Sequence, residues 1–357
     1  MPPEPATRRT SRESREVEAD SIAPLAGSPL LMRLAELPRF RLGTFPSPLQ
    51  PAARLSEALG VPVLIKRDDL TGLGLGGNKV RKLEYLIADA RDRGADVILT
   101  GGGPQSNHAA LTALAAGRAG IGTHLVCYGH PRKGPLQGNA ILYALAGAQV
   151  TYTGDADRSS VDGALESLAR ELRAKGRRPY VIPRGGATPL GCVGYVLASL
   201  ELAAQLAELG LSPTHLILAT GSCGTQAGLE VGAAWLQASY RVVGVTVSRP
   251  RAECLQRISS LGRACAELLG LDVAGSLAHV EVVEGYLGPG YGRSSPEGSA
   301  AMELVASTEG LLLDPVFTAK AMAALRDMAG TIEPGPVVFL HTGGAPAAFV
   351  AASEMEV

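Results

Sequence analysis

Cysteine is scarce in this chain, and its few occurrences follow no pattern. The five residues, Cys127, Cys192, Cys223, Cys254 and Cys265, are widely separated, and no two of them form a Cys-x-x-Cys pair. An odd number of cysteines without a secretory signal argues against a disulfide framework and indicates a reducing compartment. We therefore expect a cytoplasmic protein with free cysteines.

Metal-ligand spacing and a strong charge of one sign are also missing. The six histidines follow no zinc pattern, and the formal net charge is −1. A nearly neutral chain gives no support for a nucleic-acid or membrane-surface partner. The apolar stretch at residues 197–211 is interrupted by Glu201, Gln205 and Glu208, so no segment is predicted to span a bilayer. We expect no metal, no nucleic acid and no membrane.

Large apolar side chains are nearly absent from residues 1–20, which are rich in Pro, Arg, Ser and Glu. Such a composition cannot bury a core, so we predict disorder there, within an N-terminal arm of residues 1–40. Acidic residues among the arginines argue against a mitochondrial transit peptide, and no apolar core of a signal peptide follows.

Beyond the arm, apolar runs typical of buried strands alternate with alanine-rich periodic segments typical of helices. With 357 residues and a hydrophobic composition of 46%, the chain is long enough for two domains. We predict an α/β fold of mostly parallel sheets covered by helices on both faces. The predicted strands are 61–65, 97–100, 124–128, 216–219, 242–247 and 337–340. The predicted helices are 82–93, 109–116, 163–175, 194–209 and 319–329.

Lys79 follows a loop that is unusually rich in glycine. Four glycines, at positions 72, 74, 76 and 77, precede Asn78 and Lys79. Glycine permits close approach of the backbone to a bound group, so a ligand is expected beside this amine. We predict a helix that begins near Lys79, with Asn78 as its cap and Leu83 on its buried face. Taken alone, an ordinary glycine loop before a basic helix fits the segment equally well.

A second polar turn, residues 220–225, follows the predicted strand 216–219 and precedes a helix through Val231 and Trp235. This arrangement directs backbone N–H groups and the helix dipole at a phosphate. A Walker lysine and the Gly-x-Gly-x-x-Gly spacing are both missing, so nucleotide binding is not supported. A phosphate site with a distant lysine suggests pyridoxal phosphate. A purely structural turn is the alternative.

A third polar turn, residues 101–107, follows the predicted strand 97–100. It places Gln105, Ser106 and Asn107 at a helix N-terminus, where N–H groups suit a substrate carboxylate. Ser and Asn are also ordinary capping residues. Together with Lys79 and the phosphate turn, the pattern favours substrate binding.

From about Arg41 to Phe349 the sequence resembles the fold-type II pyridoxal-phosphate enzymes of the group that contains 1-aminocyclopropane-1-carboxylate deaminase and D-cysteine desulfhydrase. The matching motifs occur in the family's order and at about its spacing: residues 64–70, 76–79, 105–108, 220–229, 290–292, 313–318 and 341–346. The resemblance implies a tryptophan synthase β-like fold with the cofactor between two domains. The large domain would comprise residues 41–81 and 191–357, and the small domain residues 82–190. It also implies a homodimer.

The resemblance implies a cofactor site around Lys79. This lysine would bind pyridoxal 5'-phosphate covalently and later move the substrate's α-proton, since a buried amine can have a lowered pKa. Asn78 and Thr318 would contact the cofactor, with Thr318 near the pyridine nitrogen. The phosphate would be held, mainly through backbone N–H groups, by Ser222, Cys223, Gly224 and Thr225.

The resemblance further implies a substrate site. Ser106 and Asn107 would bind the substrate carboxylate, with Gln105 supporting their loop. Tyr291 would face the substrate and pass a proton or orient the leaving group. The catalytic set is thus Lys79, Ser106 and Tyr291.

Two positions bear on the reaction. Ring-opening relatives resemble a pattern with glutamate in place of Thr318, where a carboxylate keeps the pyridine nitrogen protonated and deepens the electron sink. A hydroxyl can only hydrogen-bond, which favours β-elimination. Phe317, also a substrate-site residue, stands where both activities usually show tyrosine. Either the ring serves packing while Tyr291 acts alone, or substrate choice has changed or the reaction is a related β-replacement or cyclisation.

We therefore expect a pyridoxal-phosphate-dependent carbon–sulfur lyase acting on a small amino acid, with D-cysteine giving pyruvate, ammonia and sulfide. Alternatives are deamination of 1-aminocyclopropane-1-carboxylate, a sulfo-lyase reaction on cysteate, or a specialised biosynthetic reaction. A non-catalytic homologue is supported by Phe317 alone and opposed by Lys79, Ser106 and the phosphate turn.

Overall fold

The computed structural model describes residues 29–131, 133–273 and 275–351. The predicted disorder of residues 1–20 lies outside these ranges. The strands are β1 (Leu49–Pro51), β2 (Val63–Lys66), β3 (Val97–Gly102), β4 (Gly122–Cys127), β5 (Gln149–Tyr152), β6 (Pro179–Val181), β7 (His215–Thr220), β8 (Arg241–Thr246), β9 (Glu281–Val283) and β10 (Val337–Leu340).

The helices alternate with these strands along the described chain. They are α1 (Pro29–Glu36), α2 (Ala53–Leu59), α3 (Lys79–Asp92), α4 (Asn107–Arg118), α5 (Asn139–Leu145), α6 (Ser160–Ala174), α7 (Pro189–Leu209), α8 (Gly224–Leu236), α9 (Arg251–Leu269), α10 (Pro296–Glu309), α11 (Thr318–Met328) and α12 (Ala345–Ala351). Short 3₁₀ turns occur at Asp68–Leu70, Arg184–Gly186 and Ser276–His279.

The strands form two sheets. The larger has the order β1-β2-β10-β7-β8-β9, and the smaller has the order β5-β4-β3-β6. All pairs are parallel except β1 with β2. Helices separate consecutive parallel strands, as crossover connections require. The predicted α/β fold with mostly parallel sheets is confirmed.

Each predicted strand is observed, with its ends shifted by a few residues. The strands that the sequence did not predict are β1, β5, β6 and β9, which contain three or four residues each. They lie at the edges of the sheets, and most of their residues are partly exposed. A short edge strand needs no continuous apolar run, so it leaves little trace in the sequence.

The two sheets come from different parts of the chain. Strands of the smaller sheet fall within residues 97–181, and those of the larger sheet fall within 49–66 and 215–340. Domain boundaries at 81/82 and 190/191 stay predictions. Part of the predicted arm is a helix, because Leu30 and Leu34 of α1 are buried among apolar side chains of α7, α8 and α9.

Helix α7 corrects a statement made from the sequence. Among the described helices, α7 is long and apolar enough to cross a membrane by length and composition, so the prediction that no segment meets this criterion is wrong. Most of the helix is buried inside the fold. Its Glu201 forms ion pairs with Lys66 and Arg81. A buried carboxylate with two cationic partners is typical of a core helix.

Candidate active site

A cavity lies where the carboxyl ends of β3, β7, β8 and β10 meet the loops that follow them. Ligands of open parallel α/β sheets bind at such ends. Nine predicted site residues line this cavity: Asn78, Lys79, Ser106, Asn107, Ser222, Cys223, Thr225, Tyr291 and Phe317. The structure therefore brings together three polar turns that are far apart in sequence. Gln105, Gly224 and Thr318 are not part of the lining.

Lys79 is linked to the phosphate turn through Asn78. Lys79 Nζ donates to Asn78 Oδ1 at 2.7 Å, and Asn78 Nδ2 donates to Thr225 Oγ1 at 3.0 Å. Asn78 occupies the N-cap position of α3, as predicted, but its side chain makes no capping bond because these two partners occupy its amide. Leu83 is buried, as predicted. The first residue of α3 thus faces the N-terminus of α8.

Gly77 explains part of the glycine-rich approach to Lys79. A Cβ built on Gly77 would lie 2.7 Å from Asn107 Nδ2, and the residue has a φ of 131°. Only glycine lets the two loops come this close without strain. Gly77 therefore places the lysine loop against the predicted carboxylate-binding loop.

The surroundings of Lys79 favour a neutral amine. The loss of water around its nitrogen lowers its pKa well below the ordinary lysine value, and the nearby positive charge of Lys82 lowers it further. Asp314 opposes this shift but is the smallest of the three causes. An unprotonated amine can act as a nucleophile toward a carbonyl carbon and as a base.

The turn between β7 and α8 is built to receive an anion. Cys223, at the N-cap of α8, has a left-handed φ of 73° and makes no side-chain capping bond. Thr220 Oγ1, on the cavity lining, is buried without a hydrogen-bond partner in the described part of the chain. A buried hydroxyl in this position needs a partner from a bound group. These groups fit a phosphate.

Lys82 of α3 lies beside this turn, outside the cavity lining, and was missed from the sequence. It is fully buried, and a Cβ on Gly224 would lie 3.0 Å from its ammonium nitrogen. Burial lowers its pKa to about 8. Lys82 lies three residues after Lys79, so the helical period places both side chains on one face of α3. That spacing was the signal available in the sequence.

The turn between β3 and α4 differs, since Ser106 caps its own helix. Its Oγ accepts a hydrogen bond from Ala109 N at 3.2 Å, and Asn107 is the first residue of α4. Gln105 points elsewhere: it accepts from Asn139 N at 2.9 Å and donates to Gln137 O at 3.0 Å. Its side chain holds the loop against α5 rather than lining the cavity.

Tyr291 and Phe317 form an aromatic wall. Their ring centroids lie 6.1 Å apart at an interplanar angle of 74°. Tyr291 comes from the loop after β9 and is 36% exposed. Phe317 comes from the N-cap of α11 and packs against the core of the larger sheet. The wall therefore has one phenol where a tyrosine pair would have two.

Thr318 lies behind this wall and is fully buried. Its hydroxyl donates to Asp314 Oδ1 at 2.7 Å and accepts from Asp314 N at 2.7 Å. Asp314 also accepts from the backbone N–H groups of residues 316–318. The Asp314 carboxylate therefore caps α11 and lies outside the cavity lining.

Three arginines also line the cavity and were missed from the sequence. Arg158 and Arg184 come from segments on either side of α6, and Arg249 follows β8. Within the part of the chain that the structure describes, no Asp or Glu side chain lines this cavity. These arginines lie in loops without a motif, so only the fold brings them together. The cavity is consequently rich in positive charge and suited to anionic ligands.

Comparison with known proteins agrees with this geometry. The model of the family "Pyridoxal-phosphate dependent enzyme" matches residues 40–343. A D-cysteine desulfhydrase of Salmonella choleraesuis (strain SC-B67) is 44% identical over 329 residues, which cover 89% of this chain and 98% of that protein. A crystal structure of an ACC deaminase homologue superposes with a TM-score of 0.85 at 39% identity, covering 92% of this chain and 98% of that one.

A more distant structure shows the fold alone. A threonine deaminase isoform from Solanum lycopersicum has a TM-score of 0.66 at 18% identity and covers 92% of this chain. The family match spans both sheets and every cavity-lining residue except Gly344, and the buried lysine and the uncapped N-terminus of α8 suit the cofactor that gives the family its name. The chain belongs to the pyridoxal-phosphate dependent enzymes.

Proposed function

We propose that this enzyme catalyses β-elimination from a small amino acid, with D-cysteine converted to pyruvate, ammonia and sulfide. The desulfhydrase relative supports the choice of substrate. The observation on which the reaction type rests is the lack of any carboxylate in the cavity lining of the described chain. Thr318, the residue expected near the pyridine nitrogen, has a hydroxyl already engaged with Asp314.

This environment disfavours ring opening of 1-aminocyclopropane-1-carboxylate. A carboxylate beside the pyridine nitrogen would keep it protonated and deepen the electron sink, and a hydroxyl does not. β-Elimination tolerates the weaker sink because a good leaving group departs at once from the neighbouring carbon. The single phenol of the aromatic wall also leaves fewer acid–base groups for ring opening.

The residues that would hold pyridoxal phosphate are Lys79, Asn78, the turn 222–225 and Lys82. When bound, the cofactor supplies an electron sink for the charge that develops at the substrate's α-carbon. Lys82 and the N-terminus of α8 would face the phosphate dianion, since both present positive charge there. Through its two hydrogen bonds, Asn78 would fix the position of the Lys79 nitrogen relative to the Thr225 hydroxyl.

The other residues orient the substrate and move protons. Ser106 and Asn107 would bind the substrate carboxylate at the start of α4. The lowered pKa of Lys79 favours the neutral amine, which can accept the α-proton. The Cβ–S bond then breaks with its electron pair on sulfur, and Tyr291 or a water supplies the proton. The enamine product hydrolyses to pyruvate and ammonia.

A spectral titration tests this proposal. Purified enzyme would be titrated with D-cysteine, L-cysteine, cysteate and 1-aminocyclopropane-1-carboxylate while sulfide and α-keto acid are assayed. We expect a shift of the cofactor band and equal amounts of sulfide and pyruvate from D-cysteine. A keto acid formed from the cyclopropane substrate alone would overturn the proposal.

We also propose a cytoplasmic homodimer. Exposed apolar side chains around α5 support an interface: Leu136 is 57%, Ile141 is 42% and Leu145 is 80% exposed. The five cysteines are all free and buried, which suits a reducing compartment. Light scattering at several concentrations tests the dimer, and cell fractionation tests the compartment. A monomer at every concentration would contradict the proposed homodimer.

A further inference from the structure

Arg158 differs from the other two arginines of the cavity. Arg184 is held by Asp162 through two contacts of 2.9 and 2.5 Å, and Arg249 pairs with Glu253. Within the described ranges, no ion pair joins Arg158 to a carboxylate. Its guanidinium donates to the carbonyl oxygen of Ser248 at 2.6 Å and lies 5.4 Å from the centroid of the Tyr291 ring.

The wall that Arg158 shares is distinct from the two predicted anion sites. A Cβ on Gly221 would lie 3.5 Å from both the Phe317 ring and Ser248 Oγ. Together with the contacts of Arg158 to Ser248 and Tyr291, this places Arg158, Ser248, Tyr291 and Phe317 on one side of the cavity. Lys82 and α8 are assigned to the cofactor phosphate, and α4 to the substrate's α-carboxylate. Arg158 is therefore left for a third group.

A half-buried cation favours an anionic partner. Arg158 is partly buried, and an aromatic ring and a carbonyl group compensate its charge less well than a carboxylate does. The guanidinium fork matches the planar or tetrahedral oxygens of carboxylate, sulfonate and phosphate groups. A neutral thiol offers this arginine no comparable partner.

We propose that Arg158 binds a negatively charged group on the substrate's side chain, so that the enzyme accepts, besides D-cysteine, small amino acids with an anionic β-substituent. This inference rests on the proposed β-elimination and extends its range of substrates. Lys79 removes the α-proton, the bond from Cβ to the substituent breaks, and the substituent leaves with the bonding electrons as an oxyanion. The reaction needs no oxidant or reductant.

Binding of aspartate and asparagine gives a direct test, because the two differ in side-chain charge while keeping nearly the same shape. The cofactor-loaded full chain would be titrated with each enantiomer and followed by cofactor absorbance. We expect aspartate to bind at least about tenfold more tightly than asparagine, the effect typical of one charge-assisted hydrogen bond. In Arg158→Met this preference should disappear, and in Arg158→Lys part of it should remain.

Turnover provides the second readout. Cysteate and O-phosphoserine carry anionic substituents, whereas cysteine and β-chloroalanine carry neutral ones. Arg158→Met should lower kcat/KM for the anionic pair by about tenfold or more and for the neutral pair by less than about threefold. Arg93→Met, at the exposed C-cap of α3, is the control for loss of an arginine.

The outcomes separate this inference from the proposed function. Equal losses for charged and neutral substrates would assign Arg158 to the α-carboxylate or to the contact with Ser248, and would overturn the inference. A lower cofactor content in Arg158→Met, with unchanged aspartate preference, would assign it to the phosphate and also overturn it. If no substrate is eliminated, including β-chloroalanine, the proposed function fails while the aspartate comparison still decides the role of Arg158.

Discussion

The helix ends of α4 and α8 face the same cavity, yet they are built differently. Helix α4 begins with Ser106, whose hydroxyl caps the helix by accepting from Ala109 N. Helix α8 begins after Cys223 in a left-handed conformation and has no side-chain cap, while Lys82 lies beside its first residue. The first N–H groups of α8 therefore have no side-chain cap and can bind an anion, whereas the α4 end satisfies one of its own.

This difference suits ligands of different lifetime. A cofactor phosphate stays bound through many turnovers. It would therefore stabilise an uncapped helix end with a buried lysine throughout catalysis. A substrate carboxylate comes and goes, and the Ser106 cap keeps α4 satisfied between turnovers. The comparison predicts that changes at α8 affect cofactor binding and that changes at α4 affect substrate binding.

Lys79 lies between the two ends, and its loss should have the largest effect. Lys79→Ala should abolish the absorbance band of lysine-bound cofactor and lower kcat by at least about 10³-fold, since it removes both the nucleophile and the base. Lys175→Ala, on the exposed end of α6, is the control. Turnover and spectrum that survive in Lys79→Ala would refute the mechanism.

Lys82→Met tests the α8 end. We expect the dissociation constant of pyridoxal phosphate to rise by about ten- to a hundredfold, because a buried cation facing the phosphate is lost. Equilibrium dialysis of the apoenzyme measures it. Lys320→Met is the matched control, since Lys320 is equally buried and, like Lys82 with Gly185, donates to a backbone carbonyl, that of Leu287. Unchanged cofactor affinity in Lys82→Met would show that Lys82 does not contribute to phosphate binding.

Ser106→Ala tests the α4 end. We expect KM for the substrate to rise about tenfold with little change in cofactor affinity, and the helix cap to lose about 1 kcal/mol of stability. Ser295→Ala is a matched control, because Ser295 caps α10 in the same way, accepting from Gly298 N at 3.1 Å. The Ser295→Ala variant should lose a similar amount of stability, and its KM for the substrate should stay unchanged. A change in cofactor affinity in Ser106→Ala would break the proposed division of roles.

The pH dependence of cofactor loading should follow the Lys79 amine. Because its folded-state pKa lies well below the ordinary lysine value, the neutral amine forms at lower pH than in an exposed lysine, and the rate of pyridoxal phosphate incorporation into apoenzyme should level off below the pH range in which ordinary lysines titrate. Removing the positive charge of Lys82 removes one cause that lowers this pKa. The rate profile of Lys82→Met should therefore move to higher pH, and a shift to lower pH would contradict the assignment.

Phe317→Tyr should have the smallest effect. The ring already packs edge-on against Tyr291, which supplies the phenol of this wall. We expect kcat/KM for β-elimination to change by less than about threefold. A larger increase, measured with β-chloroalanine to avoid thiol chemistry, would show that the missing phenol limits turnover.

Much of the fold was predictable because buried parallel strands leave a continuous apolar run. All six predicted strands are observed, and so is the α/β class. Helix α9 was not predicted, although Cys254, Ile258, Cys265 and Leu269 are buried at helical spacing. That signal was available and was missed. The short edge strands offered no comparable signal, since few of their residues are buried.

The sequence by itself determined the chemistry at hand: a lysine after a glycine-rich loop, a strand–turn–helix phosphate site, and a family whose cofactor is pyridoxal phosphate. Only the tertiary structure decided which residues meet. It joined Asn78 to both Lys79 and Thr225, placed Lys82 at the α8 end, turned Gln105 away from the cavity and brought three arginines onto its walls. Local patterns reflect the backbone within one element, whereas contacts across the cavity depend on how two sheets and their loops pack, and no short stretch of sequence specifies that.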